Sequence, residues 1–114
     1  MYTPKFTLGN IPKKVRIGDI TIRDGFQHEE FFVSTEAKLW FVEQALKAGF
    51  KEIELTNFGN PRAIPQFKDA WEVTEGACKL RKRAVEKGWI KSEDEVIFTG
   101  VAIDRRRNYP IIEA

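Results

Sequence analysis

Arg23, Asp24 and Gln27 fall within five residues, Arg23-Asp24-Gly25-Phe26-Gln27, directly after an apolar, β-branched run from Val15 to Ile22. A guanidinium, a carboxylate and an amide beside a glycine turn at a strand end can be presented to one pocket. That combination suits metal-assisted chemistry: carboxylate oxygen binds a hard cation, and the guanidinium offsets negative charge that develops on a substrate. Glu54 and Thr56 add an acid and a hydroxyl on a second short run, Lys51 to Thr56. Its alternation sends Ile53 and Leu55 to one face and Glu52, Glu54 and Thr56 to the other. Each residue also has a plainer reading. Arg23 and Asp24 would form a strand-end ion pair, Glu54 would face solvent, Gln27 would cap a loop, and Thr56 would be a structural strand end. His28 reads as a loop surface residue and Cys78 as a small helix packing residue.

The elements that must position these groups follow from periodicity and caps. Residues 1–14, with Pro4, Gly9, Asn10 and Pro12, read as a lead-in segment. Val15 to Ile22 reads as the first strand, with Val15, Ile17, Ile20 and Ile22 as its branched residues. Ser34 or Thr35 caps a helix whose apolar positions are Leu39, Val42, Ala45, Leu46 and Phe50, with Gly49 as its stop. Lys51 to Thr56 is the second strand. Pro65 opens a long second helix running to about Lys87, packed through Phe67, Ala70, Trp71, Thr74, Ala77, Cys78 and Leu80. Ile97 to Ala102 is the third strand, Arg105 to Arg107 a loop, and Tyr109 to Ala114 the opening turn of a third helix. The order β-α-β-α-β predicts an α/β fold with parallel pairing and right-handed crossovers. A three-stranded parallel sheet normally needs helices on both faces, and two helices would have to cover this one. A complete (β/α)8 barrel takes ~250 residues, so residues 15–114 are expected to form the N-terminal portion of a barrel.

Composition narrows the classes. With 42% hydrophobic and 32% charged residues the chain is of ordinary globular type. A net charge of +2 gives no argument for nucleic acid or a membrane surface. One cysteine rules out an internal disulfide and fits a reducing compartment, and residues 1–14 lack a hydrophobic signal region. No apolar stretch approaches the ~20 residues of a membrane span. The expected setting is the cytoplasm, with no nucleic-acid or membrane partner.

The chemistry-bearing residues resemble the signature of the metal-dependent lyases and acyl transferases built on TIM barrels, the 3-hydroxy-3-methylglutaryl-CoA lyase and pyruvate carboxyltransferase group. Besides Arg23-Asp24-Gly25-Phe26-Gln27, the resemblance rests on Val33-Ser34-Thr35, Lys38, Ala48-Gly49, Ile53-Glu54-Leu55-Thr56, Phe58, Pro61, Pro65-Gln66, Asp69 and Glu72-Val73. It runs from about Pro12 to Val73 and favours the lyases. It implies Asp24 as ligand of a divalent cation, Mg²⁺ or Mn²⁺, and Arg23 as the group that stabilises a carbonyl or enolate oxygen. It further implies Glu54 as a pocket acid and Gln27, with Thr56, as substrate contacts. An acyl-CoA or a 2-oxo acid would be the substrate. The family's His-x-His ligands and late cysteine have no counterpart in His28 or Cys78. Activity and the cation are therefore expected only in a complete barrel, its remainder supplied in cis or by another chain.

A different class of function stays open, a non-catalytic binding or assembly module that self-associates or completes a partner's barrel. Trp40 bears on it, because Leu39, Val42 and Leu46 already supply the apolar face of the first helix. The arginines 105–107 could bind CoA-type phosphates or form a solvated turn.

Overall fold

Asp19 ends the first strand. Its Oδ1 accepts the Thr21 N–H at 3.0 Å and its Oδ2 accepts the Thr21 hydroxyl at 3.0 Å. This side-chain turn offers the backbone an alternative to continuing the ladder. In the computed structural model, which describes Gly9 and residues 11–102, strand β1 is therefore only Gly18–Asp19, not Val15 to Ile22. Val15 and Ile17 are exposed, and Ile22 alone of the expected branched set is buried. The expected loop and helix over residues 103–114, and all of the lead-in except Gly9 and residues 11–14, lie outside the described residues.

Helix α1 spans Thr35–Ala48. The Ser34 side chain accepts the Ala37 N–H at the N-terminus, and Glu36 sits in the first turn, where its charge complements the helix dipole. Gly49 closes the helix in the left-handed conformation at φ 91°, which costs glycine no Cβ clash. Strand β2 spans Glu52–Asn57, helix α2 Ala70–Glu86 and strand β3 Ile97–Val101. The second helix thus begins five residues later than expected. Pro65–Phe67 form a separate 3₁₀ turn, and Asp69, the residue before α2, makes no capping bond because its carboxylate is engaged elsewhere.

The sheet is parallel in the order β1-β2-β3. Sequential order with right-handed crossovers puts both helices on one face. Both helices pack on one face, through Ile53 and Leu55, and among the described residues no element covers the other. One core cluster joins Ile22, Ile53 and Leu55 to Val42, Ala45 and Leu46 of α1 and Val73, Ala77 and Ala84 of α2. Gly76 lets the two helices approach closely, since a Cβ there would meet Leu39 Cδ1 at 2.5 Å. Trp71 leaves this core; it is half exposed and packs on the Phe58 ring at 5.1 Å.

Glu95 ties the sheet to the turn before β3. One oxygen accepts from Lys51 Nζ and the other from the Lys91 N–H. The Lys51 hydrogen bond, with help from the Lys91 amide, holds the Glu95 carboxyl below the usual carboxylate value. A depressed folded pKa contributes stability that is present above the unfolded value of 4.5 and lost as pH falls through the folded value. Glu95→Gln is expected to lower the thermal midpoint at neutral pH and to leave it equal to that of the parent in strong acid. Equal midpoints at both pH values would show that the clamp contributes nothing.

Candidate functional site

The Arg-Asp-Gly segment is not a loop beyond a strand. Residues Thr21–Gly25 form a single π-type turn, in which the Ile20 carbonyl accepts the N–H of Asp24 at 2.8 Å and of Gly25 at 3.4 Å. Such wide turns recur at functional sites because they reset side-chain directions within one turn. Here the turn buries Ile22 in the core and leaves its neighbours Arg23 and Asp24 only half-buried.

Arg23 links the two carboxylates. Its Nε donates to Glu54 Oε1 and its Nη1 donates to Asp24 Oδ1 at 3.0 Å. The side chains of Arg23 and Glu54 are 20% and 21% exposed and that of Asp24 is 46% exposed. The arginine is thus fixed from both sides, while Asp24 keeps one oxygen, Oδ2, that accepts no hydrogen bond among the described residues. Only two of the guanidinium's five N–H donors are spent on carboxylates. The rest make no hydrogen bond among the described residues.

Strand β2 is irregular just beyond Glu54. Glu54 pairs with Thr99 and Thr56 with Gly100, so two steps along β2 match one along β3. This is a β-bulge at Leu55, a feature that re-aims side chains next to active sites. It corrects the expected alternation. Thr56 falls on the face opposite Glu54, together with Ile53, and is 1% exposed. Its hydroxyl is buried and has no hydrogen-bond partner. Thr56 is therefore separated from the Arg23–Asp24–Glu54 group.

Gln27 is exposed and stands apart from the triad. It lines a cleft of about 190 Å³ with Glu29, Phe31, Ala63 and Gln66. His28 is exposed, and Cys78 is a partly buried helix residue. Among the described residues no three His, Cys, Asp or Glu side chains come together to hold a metal ion. Asp24 offers one hard oxygen donor, suited to a divalent cation that takes six or more, so the other ligands would have to come from outside this group. No helix among the described residues is long and apolar enough to cross a membrane.

Sequence reasoning did not foresee the most buried charge of the site region. Lys38 of α1 is 1% exposed, and its ammonium donates to the Gln66 carbonyl and, at 2.7 Å, to Asp69 Oδ1. Asp69 Oδ2 accepts the Thr35 hydroxyl at 2.8 Å. Burial lowers the Lys38 pKa, and the hydrogen bond and charge of Asp69 oppose that shift. Removing one partner leaves the other charge buried alone, which costs about 3–5 kcal/mol. Lys38→Met is expected to lose about that much in urea unfolding, and adding Asp69→Leu should recover a large part of it. A double variant no more stable than the single one would contradict this pairing.

The chain is 38% identical to human mitochondrial hydroxymethylglutaryl-CoA lyase over 74 residues, 65% of this chain and 23% of the relative. It is 40% identical to a Bacillus subtilis hydroxymethylglutaryl-CoA lyase over 65 residues, 57% of this chain and 22% of the relative. Among solved structures, the B. subtilis HMG-CoA lyase superposes with a TM-score of 0.67 at 30% identity, covering 90% of this chain and 30% of that one. An Acinetobacter baumannii HMG-CoA lyase in complex with coenzyme A and 3-methylmalate superposes at 0.52 with 31% identity, covering 64% of this chain and 28% of that one. The chain spans about a quarter of the length of the curated relatives it matches. No family model matches it.

Proposed function

We propose that this chain, similar over part of its length to the hydroxymethylglutaryl-CoA lyases, supplies the first portion of a divalent-metal-dependent carbon–carbon lyase acting on an acyl-CoA. The observation that carries the reading is Arg23, held between Asp24 and Glu54 at the end of the sheet with donors to spare. Cleavage next to a carbonyl leaves an enolate, and a fixed guanidinium lowers that barrier because no reorganisation is needed as the charge appears. Arg23 is the residue that meets the oxyanion. Glu54 fixes its plane and balances its charge. Asp24 is the ligand this chain gives to a Mg²⁺ or Mn²⁺ ion, whose role when bound is to polarise the substrate oxygen. Gln27, on the neighbouring loop, positions substrate. Thr56, turned to the other face, is left out of the substrate contacts. The remaining ligands and strands come from the rest of the barrel, in cis or from another chain, and without them the site does not turn over.

A second reading, an assembly module, is favoured by one observation: Val15 is 77% and Ile17 67% exposed beside a strand with no partner on its outer edge among the described residues. The two readings separate on the protein isolated from its source cell, together with whatever completes it. Under the lyase reading, Asp24→Asn abolishes cation-dependent cleavage of hydroxymethylglutaryl-CoA, and Arg23→Gln lowers kcat by about 10²–10³. Undiminished turnover in the Asp24 variant would end the lyase reading. A parent protein with no turnover and a closed self-assembly would favour the module.

A further inference from the structure

The loop between the π-type turn and α1, residues 26–33, has little to hold it in shape. Residues 27–32 are exposed, Phe31 at 83%, and its internal backbone bonds are His28 N–H to the Gly25 carbonyl at 3.4 Å and Glu29 N–H to the Phe26 carbonyl at 3.1 Å. An exposed stretch of this kind would ordinarily sample many conformations. Three of its backbone groups nevertheless converge on one side chain from the far side of β2. Gln66 Oε1 accepts the Val33 N–H at 2.8 Å, and Gln66 Nε2 donates to the Phe31 carbonyl at 3.0 Å and the Phe26 carbonyl at 3.1 Å.

We propose that Gln66 is a positioning residue, a template that fixes the 26–33 loop and with it the placement of Gln27. A primary amide is the one side chain of this length that offers an acceptor and two donors in one plane, and all three are in use. The template is itself anchored. The Gln66 carbonyl accepts from buried Lys38, Lys38 is held by Asp69, and Asp69 accepts from Thr35 in the first turn of α1. The bonds run from Phe26 at one end of the loop, through Gln66, Lys38 and Asp69, to Thr35, two residues beyond Val33 at the other. Phe32 lies under the Lys38 and Lys68 ammonium groups, 4.5 Å and 4.3 Å from its ring centre, and closes the same corner. Gln66 is itself 7% exposed, and every hydrogen bond of its side chain goes to the loop.

The proposal rests on the lyase reading only for what the loop is positioned toward, and its test needs neither substrate nor cation. Amide hydrogen exchange is measured on the full chain and on Gln66→Ala and Gln66→Glu. In the alanine variant the Val33 and Glu29 amides should exchange at least 10-fold faster, while Ile53 in β2 and Ala77 in α2 change less than 2-fold. The glutamate variant keeps an acceptor and loses both donors. It should protect Val33 and release Glu29, a split that a general loss of packing does not produce. Unchanged Val33 exchange in the alanine variant would overturn the proposal. So would equal acceleration at all four amides, or failure of both variants to fold, since Gln66 would then be a stability residue. Local loosening in a protein without lyase activity would leave the template standing and remove only the catalytic reading.

Discussion

A lysine ammonium with almost no access to water governs the architecture around the site. Taking that charge out of solvent costs several kcal/mol, and the cost is met only where good acceptors converge. Lys38 finds them in the Gln66 carbonyl and the Asp69 carboxylate, 28 and 31 residues away in sequence. The geometry this demands explains features that look unrelated. Asp69 cannot cap the helix it precedes, because its oxygens face Lys38 and Thr35. The chain before α2 therefore folds as a separate 3₁₀ turn, whose carbonyl is aimed at α1. Gln66, on that turn, is brought under the loop that follows the Arg-Asp-Gly segment.

A second constraint acts within β2. Six residues must pack against two helices and also present an acid to the opposite face. Strict alternation could do this, but it would also have placed Thr56 beside Glu54. The bulge at Leu55 breaks the alternation after Glu54 and turns Thr56 to the side of buried Ile53. The cost is a buried Thr56 hydroxyl without a partner, and an unmet polar group of this kind carries a penalty of about 1–3 kcal/mol. Glu54, ahead of the bulge, keeps the direction that regular pairing gives it and is held on Arg23.

The sequence made α1 legible because its signals are local. A serine cap, an acid in the first turn, apolar residues at helical spacing and a terminal glycine all lie within one element. It misled at β1 because four branched residues outweighed Gly18 and Asp19 in their midst, two poor strand formers, one carrying a side chain able to turn the chain. Pro65 was a true start signal, but for a short turn and not for α2. The faces of Ile53 and Glu54 were readable, and that of Thr56 was not, because a bulge depends on the partner strand. Arg23, Asp24 and Glu54 were legible as a group through family resemblance. The role of Lys38 was not, since nothing near it in sequence shows that Asp69 and Gln66 will meet it.

The face of the sheet left open among the described residues and the site are one problem in physical terms. Glu54 stands on the face opposite buried Ile53, the side that neither helix covers, and Ile97, paired with Glu52, is 42% exposed. Apolar surface left open here favours association with whatever can cover it. A polypeptide that did so would also take water from around Arg23, Asp24 and Glu54. Withdrawing water strengthens the attraction of Arg23 for both carboxylates and for any anionic substrate, because the effective dielectric falls. It would equally raise the cost of leaving Asp24 with one unmet oxygen, and so favour a cation there. Covering the apolar face and switching on the charged group are thus driven by the same event, and neither is reached by these two helices alone.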